Sequence, residues 1–78
     1  MAKETIYVVQ TWVAGKRGQL IADPPIPMTA EDAAVRRAYR LEEDKAAVMV
    51  FAQTADSETG DYDDPRIILR LGEEVEMG

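Results

Sequence analysis

Neither cysteine nor histidine occurs among the 78 residues. Without thiols there is no disulfide framework and no thiolate metal site. Without imidazole, the Ser-His, Cys-His and His-metal arrangements lack their base or ligand. Long apolar runs are missing too. The longest are "IYVV" and "AAVMVFA", whereas a membrane helix needs ~20 consecutive apolar residues. The opening "MAKETIYVVQ" has no long apolar core of the kind a secretory leader carries. These absences predict a soluble, cytoplasmic chain with no membrane partner. Basic residues are scarce: nine Lys and Arg stand against fifteen Asp and Glu, for a net charge of −6. Phosphate contacts need clustered cations, so nucleic acid is not the expected partner. Neither common glycine-rich phosphate cradle occurs, and nothing places two carboxylates in an apolar pocket where one pKa would rise. No enzyme activity, cofactor or metal is expected.

What the chain does have is apolar content. At 46% it is too hydrophobic for disorder, and 78 residues suffice for one domain with a single small core. A chain this short buries only ~60% of the surface its unfolded form exposes. A single domain over residues 1–78 is expected, with 1–4 and 73–78 frayed.

Residues 5–14, "TIYVVQTWVA", are rich in β-branched and aromatic side chains and read as a strand. "GKRG" then supplies a turn, and "QLIAD" resumes an extended pattern, giving a hairpin with Lys16 and Arg17 at its tip. "PPIPM" cannot continue a central strand because proline lacks the N–H donor, so it reads as a stiff crossing segment. A helix begins at "TAED", where Thr29 is placed to cap a first-turn N–H and Glu31 and Asp32 suit the positive end of the helix dipole. Ala30, Ala34, Ala38 and Leu41 make one narrow apolar stripe, with Arg36, Tyr39 and Glu43 opposite. "KAAVMVFAQT" reads as a buried strand and "PRIILRLG" as the last one.

The order β-β-α-β-β with short links predicts an α+β fold: a four-stranded antiparallel sheet, strand order 2-1-3-4, with one helix on one face. Strict alternation then leaves a surplus of apolar side chains. Ile6, Val8 and Trp12 share one face of the first strand, and Tyr7, Val9 and Val13 the other. On the third strand Ala47, Met49 and Phe51 oppose Val48 and Val50. One helix cannot cover both faces, and an open apolar face marks an interaction surface. A homodimer is expected, with Tyr7, Val9, Val13, Val48 and Val50 as its interface.

The segment "DSETGDYDDP" puts five carboxylates into ten residues. A calcium loop counted from Asp56 needs glycine at its sixth position, where Asp61 stands, and Gly60 falls one place early. A solvated turn is the expected reading, with Tyr62 an exposed contact residue. Arg36, Arg37 and Arg40 form a basic patch flanked by acids, where Asp32 can pair with Arg36 and Glu43 or Asp44 with Arg40. Glu42, Glu43 and Asp44 crowd the negative end of the helix dipole, and the Lys16–Arg17 tip is expected to offset them. A solvated helix face is the expected reading of the arginines, with an RNA or DNA contact as the functional alternative. Lys16, Arg17, Arg36, Arg40 and Tyr62 are the candidate partner contacts.

"KRGQLIAD", "AEDAAVRRAYRL" and "TGDYDDP" together resemble a small family of uncharacterised bacterial proteins of about this length, whose motifs carry no assigned chemistry. The outline "IYVVQTWVAGKRGQLIADPPIPMTAEDA" is similar to HicB-type antitoxins: a strand-turn-strand unit, a proline-containing crossing and an Ala-rich helix, in a domain that binds a small toxin. The chain departs from that pattern in having no evident DNA-binding segment after the domain. The expected function is a non-catalytic protein-interaction module that self-associates through an open sheet face. The alternative is an antitoxin-like small regulator binding a protein or nucleic acid.

Overall fold

The computed structural model describes residues 3–72, and within them the chain forms an α+β fold with one helix and one antiparallel sheet. Strand β1 spans Lys3–Ala14, β2 Leu20–Ala22, β3 Ile26–Met28, β4 Ala47–Asp56 and β5 Arg66–Gly72; helix α1 spans Glu31–Leu41. The hydrogen-bonded order is β2-β1-β4-β5, with β3 also paired to β1. Strands β1 and β4 form the centre, in register from Lys3 opposite Asp56 to Trp12 opposite Ala47. Lys3 and Glu4, expected to fray, are thus paired within β1. The remainder of the two segments expected to fray, 1–2 and 73–78, lies outside the described residues.

The sheet has five strands and not the four expected, because "PPIPM" contains a strand. Tyr7, Val8 and Val9 pair with Met28, Pro27 and Ile26, while Trp12, Val13 and Ala14 pair with Ala22, Ile21 and Leu20. Both short strands occupy the edge of β1 away from β4, where a missing N–H costs least. The register slips by one residue between them, so Asp23, Pro24 and Pro25 stand against Gln10 and Thr11. Side chains close this break. Asp23 receives the Thr11 hydroxyl at 2.9 Å and the Lys45 ammonium at 3.0 Å, its amide donates to the Thr11 carbonyl, and its carbonyl accepts from the Gln10 amide.

The turn after β1 also differs from expectation in where it bends. Of its two glycines, Gly18 takes a positive φ of 75°, but the other left-handed residue is Arg17 at 65°, and Gly15 is extended. Glycine is required more strictly at Gly72. There φ is 85°, and a Cβ would stand 2.4 Å from the Ala46 carbonyl oxygen.

Helix α1 lies on one face only. Ala34 and Ala38 are fully buried against Val9, Val48 and Val50, and Tyr7, Ile26, Met28, Leu41, Leu69 and Leu71 close the margin. Small side chains let the helix axis approach the sheet, and each buried valine contributes about 1.5–3 kcal/mol of apolar transfer. Ala30 occupies the cap position and its carbonyl accepts the Ala34 N–H at 3.1 Å; no side chain caps the helix. Thr29 stands one residue too early for that role. Glu31 in the first turn instead meets Arg66 of β5 at 3.6 Å, an exposed and weak pair between the helix start and the far edge of the sheet.

Candidate functional site

The alternation of β1 and β4 produces two apolar faces, and α1 selects one. Val9, Val48 and Val50 are 0, 2 and 0% exposed beneath the helix, with Tyr7 and Val13 half-buried. Of the five residues expected to form a dimer interface, Val9, Val48 and Val50 are core residues under the helix, and for these three that expectation is corrected. The physical reason lies in the helix stripe: Ala34 and Ala38 fit over a layer of valines, whereas the opposite layer carries Trp12, Met49 and Phe51, too bulky for a close helix.

On the opposite face Trp12, Ala47 and Met49 form a second buried cluster, with Leu20 and Phe51 packed against it. This face changes character along the strands. Towards the β1–β2 turn the side chains bury one another. Towards the other end a cross-strand row runs Pro27–Val8–Phe51–Ile67 over four strands, since Val8 pairs with Pro27 and Phe51, and Phe51 with Ile67. A bulge in β5 next to the Val50–Phe51 step sets that last pairing: Val50 faces Leu69 and Phe51 faces Ile67, leaving Ile68 as the extra residue. Ile67 is 45% exposed and Ile6, one pair along, 41%. Met49, Phe51, Pro65 and Ile67 line an apolar groove of about 280 Å³ there. No helix among the described residues lies over this face, and none is long and apolar enough to cross a membrane. The same alternation contained this signal, but sequence reasoning assigned the interface to the other layer.

The cationic candidates lie in two places. Arg36, Arg37 and Arg40 project from α1 beside β3 and, with Met28 and Ala33, line an open groove of about 380 Å³. Arg36 meets Asp32 at 3.7 Å with both side chains over three-quarters exposed, so the pair is weak. Arg40 makes no ion pair with Glu43 or Asp44, and Lys16 and Arg17 make none with the acids after the helix, among the described residues. The expected offset by the turn is thus not made by contact.

The acidic segment folds as a turn that uses its own carboxylates. Asp56 Oδ1 accepts the Glu58 and Thr59 N–H groups, the Asp56 carbonyl accepts from Gly60, and Asp63 is fixed by the Gln53 amide and by Lys3 at 3.9 Å. Tyr62 bridges to Ala55 through its backbone and is 73% exposed as a residue. No three acidic groups among the described residues converge on a metal position. One carboxylate has a displaced pKa: the Lys45 ammonium and then the Thr11 hydroxyl hold Asp23 below the usual aspartate range. Its partners belong to the edge break and it lines neither groove, so it has a structural explanation.

No protein-family model, no curated protein and no solved structure matches the chain, so neither resemblance noted in the sequence brings a residue role with it.

Proposed function

We propose that the protein is a non-catalytic interaction module that associates with a second copy of itself through the sheet face opposite α1. The observation that carries this reading is the apolar row Pro27–Val8–Phe51–Ile67, bordered by the exposed Ile6 and the groove at Pro65. Sheets pack face to face at about 10 Å with interdigitating side chains, and a row spanning four strands suits such a stack. A two-fold axis along the row sets it against its own copy. Glu4 and Arg70 share this face at opposite ends, so the same axis brings unlike charges towards each other. Val8 in this row is already buried, so the surface a second copy covers is that of the exposed Pro27, Ile6 and Ile67 and the half-buried Phe51, which the helix does not reach.

Sedimentation equilibrium from micromolar to millimolar protein tests this. The expected result is a dimer that Ile67→Lys converts to monomer, with the variant's thermal midpoint close to the parent's measured as monomer. A monomeric mass throughout the range overturns the reading.

A further inference from the structure

The groove between α1 and β3 lies on the helix side of the molecule, away from the proposed self-association face. Its floor is Met28 and Ala33, and its rim carries Arg36, Arg37 and Arg40. Three of the chain's nine cations thus fall within five residues of a protein whose net charge is −6. Their neighbouring acids do not neutralise them. Asp32 reaches Arg36 at 3.7 Å in an exposed and therefore weak ion pair, and no ion pair holds Arg37 or Arg40 among the described residues. A guanidinium presents a planar fork of donors that matches a carboxylate two bonds at a time.

We infer that this groove docks a short acidic segment of a protein partner, with carboxylates on the three arginines and an aliphatic side chain over Met28 and Ala33. Charge complementarity names the acid, and the apolar floor names the aliphatic residue. A nucleic-acid backbone fits less well, because three cations release few counterions and the rest of the chain repels a long polyanion.

Fluorescence anisotropy of a labelled Glu-Leu-Asp-Glu-Leu-Asp peptide, titrated with the full chain at low salt, tests the inference, with a labelled oligo-dT as the competing probe. The peptide should bind saturably, and the double variant Arg37→Gln/Arg40→Gln should bind about tenfold more weakly or worse, the loss expected for charge-assisted hydrogen bonds. Serine in place of the probe's leucines should also weaken binding. Ala33→Glu, which keeps every arginine but puts a carboxylate on the groove floor, should abolish it, so the result does not rest on one variant. No saturation with the peptide, binding by both variants as tight as the parent's, or tighter binding of oligo-dT than of peptide overturns the inference. Loss of peptide binding and loss of dimer are separate readouts, because the two sets of residues lie on opposite sides of the sheet.

Discussion

The two faces of this sheet come from the same strands, residue by residue, yet they have different fates. The layer of Val9, Val48 and Val50 is sealed by two alanines of α1. The layer of Val8, Trp12, Met49 and Phe51 holds larger side chains, and at one end they bury one another. At the other end Ile6 and Ile67 stay open. Side-chain size, more than hydrophobicity, decides the difference. Small residues invite a helix to pack close, whereas an uneven layer of large ones does not. The covered face is sealed, and the open end of the other face leaves apolar surface uncovered, which is the surface we propose for self-association.

The strongest way to break this contrast is to charge the covered layer. Val50→Asp places an unpaired carboxylate in a site with no exposure, at a cost of about 3–5 kcal/mol, enough to unfold a small domain. Its circular dichroism should lose the cooperative thermal transition. An intermediate effect is expected at the edge of the same layer, where Thr11 is buried and tied to Asp23. The folded-state pKa of Asp23 is depressed, so its contribution is fully present above the ordinary aspartate value of about 3.9. It is lost as pH falls through the lower folded value. Urea midpoints measured down a pH series should fall more steeply at this acid end for the parent than for Asp23→Asn, whose midpoint at neutral pH is already lower. The smallest effect belongs to the open layer. Ile6→Ser should change monomer stability by no more than about 0.5 kcal/mol in urea denaturation, as exposed positions do, while weakening association. A large loss of stability there would erase the distinction between the faces.

Much of this arrangement could be read from the residues. The β-branched runs marked β1, β4 and β5, and the Ala34–Ala38–Leu41 spacing marked α1, because alternation and helical periodicity are local properties. Strand β3 was hidden by its prolines: Pro27 argues against a central strand but is tolerated at an edge, and edge position is set by tertiary pairing. The absence of a Thr29 cap has a similar origin, since the chain leaves β3 at Met28 and brings Ala30, not Thr29, to the helix start. The choice of face was the most consequential miss. Both layers are apolar, so their patterns look alike, and only the fit of Ala34 and Ala38 against valines separates them. The arginine groove needed β3 as its second wall, and its Met28 floor could not be placed without that strand.

The central ladder of β1 and β4 also sets the order in which this chain can assemble. Every rung, from Trp12 with Ala47 to Lys3 with Asp56, joins residues on opposite sides of α1 in the chain. Closing that loop costs chain entropy before any rung repays it, so the meeting of β1 with β4 is the slow event, whereas the β1–β2 turn closes locally. Helix α1 shortens the span to be closed, and its alanine stripe gives both strands a common surface on which to meet. Residues in that seam govern how fast the native state is reached. The β4–β5 pairing, between residues nearer in the chain, closes over a shorter loop than the β1–β4 ladder.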